Sequence, residues 1–232
     1  MKRLANKVAL VTGAGQGVGQ GIALALSDDG AAVAVFGRTL SKVEETCRLI
    51  RERGGRALAV ECDVKDLASL KKGVDAVVKE FGGLQILVNN AQEVPLGDLL
   101  SVTDDEINAG WESGPMATLR LMRICYPHLK GDGNIVNLGT AAALRWDAGN
   151  YGAYAAVKEA IRALSRAAAN EWAKDGIRTN VILPLASSPA LAWWMKDRPE
   201  EGAAYVAAVP MRRIGDCETD IGRFVATLCS DD

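Results

Sequence analysis

The sequence has 232 residues, 49% apolar and 24% charged, with a formal net charge of −2. That balance belongs to a globular chain rather than a disordered one, and its near-neutral charge supplies no field to gather nucleic acid or anionic lipid. Residues 1–6 lead straight into an apolar run with no signal-peptide core, and no stretch approaches the roughly 20 apolar residues of a membrane helix, so a cytoplasmic protein without a membrane segment is expected.

The first predicted strand, 8–12, is a continuous apolar run of the kind that suits a parallel sheet covered on both faces. It ends in Thr12-Gly13-Ala14-Gly15-Gln16-Gly17-Val18-Gly19, and a helix is predicted over 17–28. GxGxxG spacing fits in no register. A glycine-dense turn at a helix N-terminus nevertheless lets backbone approach a pyrophosphate, whose charge the free N–H groups and helix dipole favour. The bland alternative is a tight turn without a ligand.

Strand 32–36 ends at Phe36-Gly37-Arg38-Thr39. An acidic residue at that strand end would accept from a ribose 2′-hydroxyl and repel a 2′-phosphate. Gly37 stands there instead, and the Arg38 guanidinium beside it can pair with phosphate in bidentate fashion. NADP(H) is the expected cofactor, with NAD(H) also admitted, against the alternative that Arg38 is a solvated surface charge.

Helix 41–53, strand 57–61, helix 67–81 and strand 86–89 follow. The next helix, 104–129, carries Gly114-Pro115 in its interior, a pair expected to kink or break it. After strand 134–138 comes a long helix, 151–174, in which Tyr154 and Lys158 share one face. By spacing alone such a pair is commonly an ordinary helix surface; the family resemblance given below turns it toward chemistry, since reducing a carbonyl takes a hydride and a proton. A phenol serves as proton donor once its pKa of about 10 falls by about 3, worth roughly 4 kcal/mol, which a nearby ammonium and a positive nicotinamide ring largely supply. Tyr151 competes, but the residue one turn after it is Ala155.

Strand 179–183 leads into 184–211, the least regular segment, which is expected to be a lid excursion above the sheet. Its Trp193, Trp194 and Met195 either cover an apolar substrate or form a packed helix face. A last helix is predicted over 219–230. Strand–helix alternation without a linker implies one doubly wound parallel α/β domain of the Rossmann type, with helices on both faces, across 1–232. The five cysteines form no CxxC and there is one histidine, so no metal site is expected and the thiols are read as reduced. His128, at a helix end, reads as a solvated cap.

Thr12, Gly13, Gly17 and Gly19 make the pattern TGxxxGxG. Asp63-Val64, Asn89-Asn90-Ala91, Tyr154-xxx-Lys158 and Ile177-Arg178-Thr179-Asn180 before Pro184 follow in order. Together these landmarks resemble the short-chain dehydrogenase/reductase family over nearly the whole chain. The resemblance implies interconversion of a ketone or aldehyde and a secondary alcohol by hydride transfer, with a small carbonyl or alcohol compound as substrate. It places Gly13, Gln16, Gly17, Val18 and Gly19 at the cofactor's phosphates, Asp63 and Val64 beside adenine, and Asn90 with Ala91 along the adenosine ribose. Tyr154 becomes the acid/base, Lys158 also a donor to the nicotinamide ribose, Pro184 a wall of the cofactor groove, and Thr140 the stand-in for the usual serine. It also implies a homo-oligomer, dimer or tetramer, paired through the helix of Tyr154 and the one before it; Ala155, Ala156, Ala160, Ala163, Ala167 and Ala168 would permit close approach there.

Several positions depart from the family pattern. Gly114 stands where an asparagine usually holds a water. Gln92 and Leu185 replace glycines, Ser187 or Ser188 replaces a threonine, and Gln16 occupies a point where NADP-preferring relatives often carry a basic residue. A further strand that relatives add after the final helix is absent, so either it lies outside this sequence or the sheet ends on a bare edge. These departures motivate a second reading, a nucleotide-binding sensor or partner subunit with faded catalysis.

Overall fold

The computed structural model describes residues 2–144 and 150–231; residues 1 and 232, the ends of the predicted domain, lie outside the described residues. Six parallel strands form one sheet: β1 (Val8–Thr12), β2 (Ala32–Gly37), β3 (Ala57–Glu61), β4 (Ile86–Asn89), β5 (Gly133–Leu138) and β6 (Ile177–Ile182). Their order, β3-β2-β1-β4-β5-β6, reverses direction between β1 and β4. A crevice opens at such a switch point above the carboxyl ends of the strands, and that is where the site lies.

Helices cross over between strands: α1 (Gly17–Asp28), α2 (Leu40–Glu52), α3 (Leu67–Phe81), α4 (Asp104–Trp111), α5 (Ala117–Leu129) and α6 (Gly152–Trp172). Strand side chains alternate between faces, so the core divides in two. Ala9, Val11, Val33, Val35, Val88 and Val136 pack with Ile22 and Leu26 of α1 and Val43 and Ile50 of α2. On the opposite face Leu10, Phe36, Leu87 and Ile135 meet Leu70 and Val74 of α3 and Leu121, Met122 and Cys125 of α5. All five residues of β1 are buried, the burial that its unbroken apolar run predicted. The predicted doubly wound Rossmann architecture is the observed one.

Three elements differ from the sequence expectation. The pair Gly114-Pro115 does not break its helix. A wide turn, Glu112–Met116, joins α4 to α5 with the backbone helical on both sides. Such a turn accommodates a proline ring and its missing N–H with less disturbance than a regular α turn. β6 begins two residues earlier than predicted, because it lies at one edge of the sheet, where Arg178 and Thr179 are tolerated. The predicted last helix is a wide turn, Cys217–Gly222, followed by the short α9 (Arg223–Leu228). Beyond β6 the chain end is tied back: Arg178 Nη2 donates to the carbonyls of Leu228 and Ser230 at 2.9 and 3.0 Å.

The segment 184–211 carries two short helices, α7 (Pro189–Asp197) and α8 (Pro199–Ala208). Trp194 meets Tyr205 edge-on at 5.9 Å and Met195 abuts Gly202, so these residues join α7 to α8. Trp193 is 67% exposed.

Candidate active site

The cleft at the switch point has a volume of about 590 Å³, within the range of small-molecule and cofactor sites. The glycine turn forms its floor. Gly13 and Gly17 have φ of +62° and +59°, which side chains with a Cβ rarely adopt. Gly19 lies under the turn, where a Cβ would come within 2.5 Å of both the Asn90 amide and the Gly13 carbonyl. Gln16, the N-cap of α1, makes no side-chain bond to the helix, and no acidic residue occupies the first turn. The first N–H groups of α1 therefore face the cleft uncapped by any side chain and clear of negative charge, and they fit a pyrophosphate.

The expected cofactor residues converge on this floor. Gly13, Gln16, Gly17 and Val18 line the cleft with Arg38, and Asp63, Val64, Asn90, Ala91 and Pro184 complete its walls. Asn90 has a second task. Its Nδ2 donates to the carbonyls of Thr12 (2.8 Å) and Gly13 (3.1 Å), which braces the glycine turn against the end of β4. The Thr12 hydroxyl accepts from the N–H groups of Asn90 and Ala91. The Gln16 departure is compensated from α2: its Oε1 accepts from Lys42 Nζ at 2.7 Å, so a cation stands at the turn. Lys42 lines the cleft, yet neither its spacing nor its neighbours in sequence flagged it.

At the other end, Thr140, Tyr154 and Lys158 line the same cleft. Thr140 follows β5, held by the Gly139 N–H on the Ile182 carbonyl at 2.8 Å. Its hydroxyl accepts from the Ala142 N–H at 3.2 Å and acts on the Tyr154 phenol. Lys158 is 3% exposed, and its ammonium donates to the Leu138 carbonyl at 2.7 Å and lies 5.8 Å from the centre of the Tyr154 ring. Burial pulls the Lys158 pKa down to about 8. Burial also pushes the Tyr154 phenol up, the Thr140 hydroxyl opposes that, and Tyr151 adds to the rise. The lowering expected of Tyr154 is thus not the net result in the protein alone, because desolvation of the phenolate outweighs the single hydroxyl partner.

A buried polar chain positions α6. Asn89 Nδ2 donates to Asn137 Oδ1, and Asn137 Nδ2 donates to Ser165 Oγ, both at 2.8 Å. Asn89 at the end of β4 and Asn137 near the end of β5, polar residues in buried strands, are the signal in the sequence for this chain.

Gln92 and Gly114, two separate departures in the sequence, are one feature. A Cβ on Gly114 would lie 2.4 Å from Gln92 Oε1 and 2.9 Å from Nε2. The Gln92 amide fills the space that a side chain at 114 would take, donating to the carbonyls of Glu93 (2.7 Å) and Gly110 (2.8 Å). Of the two candidate serines, Ser188 lines the cleft and its hydroxyl accepts from Leu191 N–H as the N-cap of α7. From the excursion, Pro189, Ala190 and Leu191 face the cleft; Trp193, Trp194 and Met195 do not.

Among the described residues no cluster of His, Cys, Asp or Glu could hold a metal ion, and no helix is long and apolar enough to cross a membrane. The cysteines are free thiols; burial raises Cys47 to about 11 and Cys229 to about 12.

Comparison with known proteins agrees with this fold. The family model described as Enoyl-(Acyl carrier protein) reductase matches residues 13–232. A 12alpha-hydroxysteroid dehydrogenase from Clostridium sp. is 40% identical, covering 98% of this chain and 91% of its own length. A short-chain dehydrogenase from Burkholderia cenocepacia, solved in complex with NADP, superposes with a TM-score of 0.90 at 30% identity, over 98% of this chain and 92% of that one. A 7 alpha-hydroxysteroid dehydrogenase complexed with NADH and 7-oxo glycochenodeoxycholic acid gives 0.91 at 29% identity, over 99% and 89%. With such coverage on both sides, the chain is an oxidoreductase of the short-chain dehydrogenase/reductase family.

Proposed function

We propose that this enzyme is an NADP(H)-dependent oxidoreductase that interconverts an apolar cyclic ketone and its secondary alcohol, a hydroxysteroid being the reference substrate. The observation that carries the reading is the joint presence of Tyr154, Thr140 and buried Lys158 on one wall of the cleft whose floor is the glycine turn. Bound there, the cofactor supplies the hydride. Gly13, Gln16, Gly17 and Val18 would hold its phosphates, with Gly19 packed beneath them, Arg38 its 2′-phosphate, Asp63 and Val64 its adenine, Asn90 and Ala91 its ribose, and Pro184 the nicotinamide end. Tyr154 Oη gives a proton to the carbonyl oxygen in reduction and takes it back in oxidation, and the Thr140 hydroxyl donates to that same oxygen. Lys158 orients the nicotinamide ribose and, when charged, stabilises the phenolate.

The apolar substrate class is supported by the cleft and its rim. Val94, Leu185 and Leu191 line the cleft, and Leu96, Leu99, Leu144 and Trp193 stand exposed on segments that border it. The start of the 184–211 excursion acts as the lid. A homo-oligomer in the cytoplasm completes the proposal, with α6 at its interface.

NADPH consumption is measured against a panel of ketones that includes oxo-steroids. Tyr154→Phe lowers kcat by about 10³-fold while NADPH binding measured by calorimetry stays within about threefold. No turnover of any ketone, with tight NADPH binding unchanged by Tyr154→Phe, replaces this reading with the sensor.

A further inference from the structure

Three loops meet at the end of the cleft assigned to adenosine. Arg38 leaves the tip of β2, Lys65 follows β3, and Glu93 follows β4. One carboxylate oxygen, Glu93 Oε1, accepts from Arg38 Nη1 at 2.7 Å and from Lys65 Nζ at 2.8 Å. The Glu93 backbone is pinned on both sides: its N–H donates to Ser113 Oγ at 2.9 Å and its carbonyl accepts from Gln92 Nε2 at 2.7 Å. The carboxylate therefore stands on a fixed stem, with 29% of its side chain exposed. Two cations at charge-assisted distance from one anionic oxygen is also the set of contacts a phosphate oxygen would make there.

We infer that Glu93 is an internal anion competing for the guanidinium a 2′-phosphate needs, and that it tunes cofactor choice by weakening 2′-phosphorylated nucleotides selectively. The inference rests on the dinucleotide reading above. A 2′-phosphate must displace the carboxylate from Arg38 and can then recruit Lys65 as a second cation. Until that exchange is complete, the dianion faces a like charge at a half-exposed site, where repulsion is reduced by solvent and salt but not abolished. A neutral 2′-hydroxyl meets no such competitor. Glu93 thus narrows the NADP(H) preference that Arg38 by itself would set, leaving NAD(H) a usable alternative.

The test compares two ligands that differ only in the 2′-phosphate, adenosine 2′,5′-bisphosphate and AMP, by calorimetric titration, with NADPH as a third. Glu93→Gln tightens adenosine 2′,5′-bisphosphate and NADPH by about tenfold, the size expected when a nearby like charge is removed, and changes AMP by less than about twofold. Adding Lys65→Gln to that variant takes back about threefold for the two 2′-phosphorylated ligands and leaves AMP unchanged. Unchanged or weaker binding of the bisphosphate to Glu93→Gln overturns the inference, since Glu93 would then be positioning Arg38. An equal gain for AMP overturns it as well, because that is a general effect of charge. If the wild-type protein binds none of the three, the dinucleotide reading fails and takes this inference with it; if it binds all three with an unmoved ratio, the inference fails alone.

Discussion

Lys158 is a charge kept where a charge is costly. Its ammonium is 3% exposed with the Leu138 carbonyl as hydrogen-bond acceptor, and burial lowers its pKa from 10.5 to about 8. Between pH 8 and 10.5 the unfolded chain holds a proton at this lysine that the folded chain has released, so stability rises with pH through that window and is flat below it. The shift corresponds to about 3 kcal/mol of destabilisation at neutral pH. Lys158→Met removes that burden but leaves the Leu138 carbonyl without its donor, at a cost of about 1–2 kcal/mol. Urea denaturation is expected to show the variant about 1–2 kcal/mol more stable at pH 7, with the advantage gone by pH 10.5. A variant less stable at pH 7 would contradict this account of the site. Spacing within one helix made Tyr154 and Lys158 legible, because one turn puts both on one face. Lys42, Lys65 and Glu93 were not legible, because each acquires its meaning from a loop distant in sequence.

At the level of elements, Gln92 and Gly114 explain each other. A side chain at 114 would collide with the Gln92 amide, and that amide satisfies carbonyls after β4 and on α4. Gly114→Asn alone overpacks the junction and costs about 1–3 kcal/mol. Gln92→Gly alone strips two carbonyls of their donor and costs about 1–2 kcal/mol. The double variant, which moves the amide side chain from position 92 to position 114, should lose less than the sum, with a coupling of about 1–2 kcal/mol in a urea-melt cycle. Strict additivity would show that the two positions do not share that space. Sequence reading found both departures and could not join them, since nothing in spacing tells a residue after β4 that it will fill a gap in α4–α5. The same limit appears elsewhere. Predicted β1, β3 and β4 coincide with the observed strands because their runs are apolar, whereas β6 starts two residues earlier than predicted because Arg178, exposed on the edge strand, interrupts the apolar run after Ile177.

At the scale of the whole molecule, one face of α6 is left unpartnered among the described residues. Ala156, Ala163 and Ala167 are exposed and Ala160 is half-buried, and their spacing of four, three and four residues puts them in a single stripe. The opposite face of the helix, with Val157, Ile161, Ser165 and Ala168, is buried in the protein's own core. Small side chains let two helices approach closely, and two copies of α6 crossing about a two-fold axis would bury the stripe against itself. Trp111 on α4, which packs beside α6, is 43% exposed and extends the same apolar region. Ala163→Arg puts a long cation on the axis of such a contact without disturbing the core, and arginine is a good helix former. Light scattering after size exclusion is expected to give a dimer or tetramer for the wild-type chain and a smaller species for the variant, with circular dichroism unchanged. Equal masses for the two would move the interface away from α6. Because Tyr154 and Lys158 sit on this same helix, a dissociated variant that keeps full turnover would show that the catalytic wall is held by the Asn89–Asn137–Ser165 chain from within, and does not depend on a partner subunit.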